Sequence, residues 1–272
     1  MTQSLRDKLQ WIKYHDVLPL KTTLADKYLA KLWVRKTLDD KIRQCPEQLD
    51  FLGDQRSGRD YVTQLVGVWN TAYEIDFDLL PERFALKANH GAGFNIVVKD
   101  KVVHNIDKTL EPFDTTKVRD QLNNWLAHVY SWGQERHYID IPRRVIAEEL
   151  IPEHVECQFY CTNGVPRYMS IITPIPRGAH QNIYDMNFAL QPLSLQRCRN
   201  ADEVPAVNFR KLKTIAEWLC GGFKFVREDL LSVGDKVYFG EMTFTPYAMD
   251  LIIQPKEYED LFNSMLDINK ND

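Results

Sequence analysis

The chain has 272 residues, 44% of them hydrophobic and 26% charged, with a formal net charge of −4. That length suffices for one large domain or two lobes with a real core, and the composition is that of an ordinary soluble globular enzyme. There is no basic excess to draw nucleic acid or an anionic membrane, no apolar run near the ~20 residues of a membrane span, and no apolar signal-peptide core at the N-terminus.

Five cysteines (Cys45, Cys157, Cys161, Cys198 and Cys220) are scattered, and none forms a C-x-x-C pair. A disulfide framework or a zinc site is therefore not expected, and the chain reads as cytoplasmic and reduced.

Residues 1–80 read as mainly helical. Thr23 with Asp26 three residues later resembles a capping box. The helix behind it has an apolar stripe of Leu29, Leu32 and Trp33, and a basic face of Lys27, Lys31, Arg35 and Lys36 that reads as solvated. Asp76-Phe77-Asp78 lies in an apolar connector and reads as structural.

Phe84 to Lys99 reads as strand, loop, strand. Phe84 to Lys87 is apolar and ends in a Lys, Asn89 to Gly93 is turn chemistry, and Phe94 to Val98 is apolar and β-branched. Gly91 and Gly93 would let backbone N–H groups approach an anion, with Lys87 in reach of its charge. A plain glycine hairpin is the bland alternative. A Walker loop would need Gly-x-x-x-x-Gly-Lys-Ser/Thr and a helix, and a dinucleotide fingerprint a third Gly and a helix; neither is present.

A third strand is expected at Lys101–Ile106. Asp114 to Thr116 can cap a helix with the stripe Val118, Leu122, Trp125 and Leu126. Arg144 to Ile151 and Glu156 to Cys161 read as strands, and Asn163-Gly164 turns the chain into a further strand over Arg167–Ile172. Pro174 to Asp185 is rich in Pro, Arg, His, Asn and Tyr, and reads as a ligand-contacting loop. A helix over 207–220 stops at Gly221-Gly222. Two strands, Phe223–Leu230 and Lys236–Glu241, turn at Gly234. A C-terminal amphipathic helix carries Tyr258, Leu261, Phe262, Met265 and Leu266.

Arg227 and Asp229 alternate on one strand and share a face, as do Glu241 and Thr243 on the next. A hairpin between them would bring Asp229 and Glu241 close together. Two adjacent carboxylates repel unless a cation sits between them, and hard oxygen ligands near phosphates suit Mg²⁺. Arg227 could take a phosphate oxygen in a charge-assisted bond. A solvated edge hairpin is the alternative. With Glu148 and Glu156 placed to hydrogen-bond a nucleoside, these segments fit nucleoside triphosphate chemistry without a Walker loop.

These residues resemble the TupA-like family of ATP-grasp proteins, linked to teichuronopeptide and surface-polysaccharide biosynthesis. The resemblance covers nearly the whole chain. It rests on Asp7-Lys8-Leu9-Gln10-Trp11-Ile12-Lys13, Ala25-Asp26-Lys27-Tyr28, Val34-Arg35, Phe84 to Gly93, Ala147-Glu148-Glu149-Leu150, Asn182-Ile183-Tyr184-Asp185, Phe225 to Asp229 and Phe239 to Pro246. It implies an α+β ATP-grasp fold with two α+β lobes clasping ATP. The expected division is a helical N-terminal segment at 1–80, in place of a Rossmann-like pre-domain, one lobe at 81–143 and the other at 144–272.

Residue by residue, the resemblance puts Lys27 on the adenine or phosphate side of ATP, and Lys87 on the α- or β-phosphate. Gly91 and Gly93 would lie in the loop over the triphosphate. Glu148, Glu149, Leu150 and Ile151 would line the adenine pocket, largely through backbone groups, and Glu156 would hold the ribose. Asp229 and Glu241 would bind Mg²⁺, and Arg227 would meet the γ-phosphate or an acyl-phosphate. In the ATP-grasp ligases the third metal ligand is usually an Asn two residues after the Glu. Here it is Thr243, a weaker ligand, which puts a second metal in doubt.

The implied reaction is ATP- and Mg²⁺-dependent joining of a carboxylate to an amine or amino acid through an acyl-phosphate, with ADP released. Family context points to a uronic acid or other carboxylate of a surface polysaccharide or its precursor. Arg177, His180, Asn182 and Tyr184 are the expected acceptor contacts, with His90 near the γ-phosphate. A sugar or glycan kinase and a glycosyltransferase are the alternatives, and a homodimer stays open as the assembly.

Overall fold

The computed structural model describes residues 3–104, 109–130, 135–175 and 178–270. By its contacts the chain divides into two compact units. One comprises residues 1–18, 31–62 and 153–272; the other comprises 19–30 and 63–152.

The N-terminal helices are α1 (Leu5–His15), α2 (Pro19–Ala25), α3 (Lys27–Gln44) and the single turn α4 (Leu49–Leu52). Ser4 opens α1 with a capping box to Asp7. The cap of α3 is Asp26, whose Oδ1 accepts from the N–H groups of Tyr28 (2.8 Å) and Leu29 (3.3 Å). Thr23, expected to share a capping box with Asp26, lies inside α2. The buried stripe of α3 is Ala30, Val34, Leu38 and Ile42, spaced by four; Leu32 is exposed and Lys31 buried, against expectation.

The smaller unit is built on a six-stranded antiparallel sheet in the order β1-β6-β2-β3-β4-β5. Its strands are β1 (Leu65–Trp69), β2 (Arg83–Ala88), β3 (Asn95–Lys99), β4 (Val102–His104), β5 (Leu110–Pro112) and β6 (Val145–Glu149). Helix α5 (Thr115–Ala127) is capped by Asp114 and packs Val118 and Leu122 against Phe84, Leu86, Ile96, Val98, Val145 and Ala147. Strand alternation then sends Ala85, Lys87, Ile146 and Glu148 to the other face. β1 lies where helix was expected, and β6 pairs with β1 and β2 rather than opening the second lobe.

The larger unit carries a five-stranded antiparallel sheet, β12-β11-β7-β8-β9. It is made by β7 (Val155–Thr162), β8 (Val165–Ile175), β9 (Gly178–Asp185), β11 (Phe225–Val233) and β12 (Lys236–Thr243). The stretch expected as a loop over 174–185 is the end of β8 and all of β9. Asn163 and Gly164 turn β7 into β8 with φ of 49° and 72°. A two-stranded ribbon, β10 (Ser194–Leu195) with β13 (Ile253–Gln254), lies nearby in sequence to α7 (Lys256–Met265).

Helix α6 (Phe209–Leu219) buries Leu212, Ile215, Ala216 and Leu219, each worth roughly 1–3 kcal/mol of burial. It also buries Lys211, whose Nζ donates to the carbonyls of Leu52 (2.7 Å) and Asp235 (2.9 Å). The other face of the sheet packs Tyr160, Tyr168, Ile183 and Phe225 with Leu5, Leu9 and Ile12 of α1 and Phe262 of α7.

Candidate functional site

In the larger unit the register sets the site. Asp229 of β11 pairs with Glu241 of β12 on one side and Gln158 of β7 on the other. Arg227 pairs likewise with Thr243 and Tyr160. Directly paired residues share a face, so Arg227, Asp229, Glu241, Thr243, Gln158, Tyr160 and, one step on, Glu156 all lie on the same face. A β-bulge at Gly240 restores that alignment after the Lys236–Phe239 pairing.

Arg227 holds Asp229 in a fork: Nε donates to Oδ1 at 2.7 Å and Nη2 to Oδ2 at 2.6 Å. Nη2 also donates to Thr243 Oγ1 at 3.3 Å and lies 3.6 Å from Glu241 Oε1. Asp229 is buried, while the Glu241 side chain is 41% exposed. Burial pushes Asp229 up to about 7; Arg227 opposes this, and Glu241 and Glu156 add to it. Glu156 accepts from Gln158 Nε2 at 2.7 Å.

The residues after β12 form a strained left-handed turn, with φ of 54°, 53° and 65° at Tyr247, Ala248 and Met249. α1 holds this turn: Gln10 Nε2 donates to Met249 O and Lys13 Nζ to Ala248 O, both at 3.2 Å. The turn brings Tyr247 near Tyr160, whose hydroxyl donates to Gln158 Oε1 at 3.4 Å.

In the smaller unit Lys87 Nζ lies 3.0 Å from Glu148 Oε2, which also accepts from Thr63 Oγ1 at 3.1 Å. Glu148 is 2% exposed, and Lys87 and Thr63 share its Oε2. Glu149 is exposed, Leu150 and Ile151 half-buried, at the end of β6. Asn89 anchors the base of the glycine loop: its Nδ2 donates to Pro142 O (2.9 Å) and its Oδ1 accepts from Arg144 N (2.7 Å). Lys27 is tied to the same loop, through its N–H to Asn89 O and its Nζ to Gly91 O. Gly91 has φ of 142°, and a Cβ there would meet the Tyr130 ring at 2.6 Å. Gly93 has φ of 77° in an exposed tip.

His90, expected near the γ-phosphate, is 1% exposed. Its Nε2 is 3.1 Å from His128 O and its ring faces Phe94, and burial lowers its pKa. His180, Asn182 and Tyr184 are also placed differently from expectation. Ser170 pairs with both Gln158 and Ile183, so β9 turns Gln181 and Ile183 toward the Asp229 face and His180, Asn182 and Tyr184 away from it. Asn182 exchanges two hydrogen bonds with the Ala201 backbone (3.2 and 2.9 Å), and Tyr184 stacks on Phe188. Arg177 lies outside the described residues.

Ser170 and Gln181 escape a sequence reading, yet both are buried on the Asp229 face. Ser170 Oγ and Gln181 Oε1 have no hydrogen-bond partner in the described structure.

The sequence model of the family described as TupA-like ATPgrasp matches residues 7–266. The chain belongs to that family. Its α+β architecture is the ATP-grasp fold that the family resemblance implied.

Among solved structures, this TupA-like ATP-grasp chain is similar to D-alanine–D-alanine ligase from Bacillus anthracis complexed with ATP. The identity is 14% over 82% of this chain and 55% of that one, with a TM-score of 0.41. It is similar to D-alanine–D-alanine ligase from Helicobacter pylori at 15% identity over 90% and 61% of the two chains, TM-score 0.41. It is similar to N5-carboxyaminoimidazole synthetase from Staphylococcus aureus complexed with ADP at 10% identity over 80% and 46%, TM-score 0.38. The chain thus spans 46–61% of the length of these structures. No protein of curated function matches its sequence. No helix among the described residues is long and apolar enough to cross a membrane.

The donor set of this TupA-like chain fits Mg²⁺. Asp229 and Glu241 face each other as hard oxygen donors, and a cation between them would relieve both their mutual repulsion and the burial of Asp229. Each Asp229 oxygen keeps a lone pair beyond its bond to Arg227.

Proposed function

We propose that this chain is an ATP- and Mg²⁺-dependent ligase that activates a carboxylate as an acyl-phosphate and lets an amine attack it, releasing ADP. The observation that carries the reading is the forked Arg227–Asp229 pair set opposite Glu241 on one sheet face, in a chain of the ATP-grasp family.

In the larger unit, Asp229 and Glu241 would hold Mg²⁺, with Thr243 a weak third ligand. Bound Mg²⁺ would neutralise charge on the phosphate oxygens during transfer. Arg227 would turn its guanidinium to the transferring phosphoryl oxygens, and Glu156 would accept from the ribose. In the smaller unit, Lys87 would meet the α- or β-phosphate, held straight by Glu148. Lys27 would fix the glycine loop rather than hold ATP alone, and Gly91 and Gly93 would present the loop's backbone to the phosphates. Glu149, Leu150 and Ile151 would offer backbone groups to adenine. His90 would pack behind the loop. No protein nucleophile is required, because positioning and charge neutralisation suffice.

The carboxylate is proposed to be a uronic acid or related acid of a surface polysaccharide or its precursor, and the partner an amino acid or other amine. The site residues for it are proposed on the Asp229 face, with Gln181 and Ser170 in place of His180, Asn182 and Tyr184. The chain is proposed to work in the cytoplasm, where ATP is available.

The test is ADP release with Mg-ATP over a panel of uronic acids and amines, with Glu241→Gln as control. ADP and phosphate formed only when both a carboxylate and an amine are present support the ligase. ADP formed with a neutral sugar alone, or equal turnover by Glu241→Gln, overturns it.

A further inference from the structure

Cys161, Cys220 and Glu228 are all buried, and each brings one ligand atom to within 4.8 Å of the others. They come from three elements: Cys161 from β7, Glu228 from β11, and Cys220 from the C-cap of α6. The register accounts for the meeting. Glu228 pairs with Phe159 and Val226 with Cys161, so Cys161 is a diagonal neighbour of Glu228 on one face of the sheet. That face is opposite to the one bearing Arg227 and Asp229, and α6 lies over it.

Glu228 is 0% exposed, and neither of its carboxylate oxygens has a hydrogen-bond partner. No Lys, Arg or His forms an ion pair with it among the described residues. A buried carboxyl with no partner is costly, and native proteins seldom leave one without a reason. Two thiols are weak donors and do little to satisfy it. Two thiolates and a carboxylate are, however, a ligand set for a borderline-soft divalent cation, and sulfur excludes Mg²⁺ as the natural occupant. Tetrahedral Zn²⁺ with bonds of about 2.3 Å to sulfur and about 2.0–2.2 Å to oxygen holds such atoms roughly 3.5–3.8 Å apart. The cluster, whose ligand atoms lie within 4.8 Å of one another, would contract to that size on binding.

We propose that Cys161, Cys220 and Glu228 form a buried site for a thiophilic divalent cation, zinc by its donor chemistry. The proposal runs against the expectation, drawn from cysteine spacing, that the chain has no zinc site. On binding, the two thiols and the Glu228 carboxyl release their protons to solvent, and the cation takes two thiolates and one carboxylate; water completes the fourth position. The cation ties the end of α6 to β7 and β11. It therefore lies directly behind the strand that presents Asp229 and Arg227, and it is separate from the proposed Mg²⁺ site.

The untagged chain is purified under reductant, equilibrated with Zn²⁺, exchanged into metal-free buffer and assayed for bound metal. About one zinc per chain is expected for the wild type and for Glu241→Gln, and less than about a tenth of that for Cys161→Ser and Cys220→Ser. Zn²⁺ should raise the Tm of the wild type and not that of Cys220→Ser. Should the cysteine variants fail to fold, Co²⁺ added to the wild type must give the thiolate-to-cobalt charge-transfer absorption. Absence of that band, no zinc retained by the wild type, retention lost in Glu241→Gln, or equal retention in folded Cys220→Ser overturns the site.

Discussion

Arg227 and Asp229, two residues apart on β11, are joined by parallel hydrogen bonds of 2.7 and 2.6 Å on one face of the strand. The pair is nearly buried, with the Arg227 side chain 12% exposed and that of Asp229 7%. Breaking a buried pair leaves a charge without compensation, but Asp229 can take up a proton because burial already raises its pKa.

Arg227→Lys is therefore expected to fold. Its point charge cannot reproduce the fork, and kcat for ADP release should fall by about 10²–10³-fold. Arg227→Ala should fall as far in kcat and, in addition, lose about 1–3 kcal/mol of stability, read by denaturant unfolding. Wild-type kcat in Arg227→Lys would remove Arg227 from the reaction.

The pH dependence follows from Asp229. Its pKa in the folded chain, about 7, stands above the usual carboxylate value of 3.8. A metal ligand must be deprotonated, so Mg²⁺ affinity should rise with pH, by about tenfold per unit below 7, and level off above about 8. Without Mg²⁺ the sign for stability is the reverse. The raised pKa favours the folded state fully below pH 3.8, and that contribution is lost as pH rises through 7. Calorimetric Mg²⁺ titrations at pH 6, 7 and 8 test this, with Asp229→Asn expected to be weak and flat across the range.

Gly240 is the bulge residue that lines Glu241 up with Asp229. A Cβ at this position would lie 2.8 Å from the Asp229 carbonyl oxygen. Backbone on that side cannot move without shifting Asp229 itself. Gly240→Ala should cost about 1–3 kcal/mol in stability and weaken Mg²⁺ binding more than Glu241→Asp does, because it disturbs both carboxylates. Thermal unfolding and Mg²⁺ titration measure the two effects.

The two loop glycines should separate. At Gly91 both the φ of 142° and the Tyr130 ring at 2.6 Å oppose a side chain; at Gly93 only the φ of 77° does. Gly93→Ala should cost about 1 kcal/mol, and Gly91→Ala clearly more. Gly91→Ala should also raise KM for ATP, since Lys27 is anchored on the Gly91 carbonyl. Equal effects of the two substitutions would place the constraint elsewhere.

Local signals made much of this fold legible. The 84–98 hairpin, the Asp114-capped helix, α6 ending before Gly221-Gly222, and the β11–β12 hairpin each announce themselves through alternation, periodicity or a turn within one segment. Arg227, Asp229 and Glu241 were legible for the same reason, because a hairpin turn fixes their neighbours. What depends on distant pairing was not legible. β1 hides in a helix-rich region, and its partner is β6, some eighty residues on. β9 sets Gln181 and Asp185 beside Ile183 on one face and His180, Asn182 and Tyr184 on the other, so its alternation carries little hydrophobic signal, and Pro174 argues against a strand at the end of β8. The burial of Lys31 and Lys211, and the meeting of Glu228 with two cysteines, follow from packing that no short window contains.

The register of β9 yields the last test. Gln181 faces the same side as Asp229 and Glu156, and its Oε1 is buried without a partner; Tyr184 and His180 face the opposite side. A purely structural Gln181 would be a burden on the core, and Gln181→Leu would raise stability with activity unchanged. A ligand-facing Gln181 behaves differently. Gln181→Leu should keep or raise Tm while lowering kcat/KM by about tenfold, because the substrate loses a hydrogen-bond partner. His180→Ala should leave kcat/KM within about twofold. A larger loss in His180→Ala than in Gln181→Leu would mean that the acceptor binds on the α6 face of the sheet, and the site would have to be redrawn there.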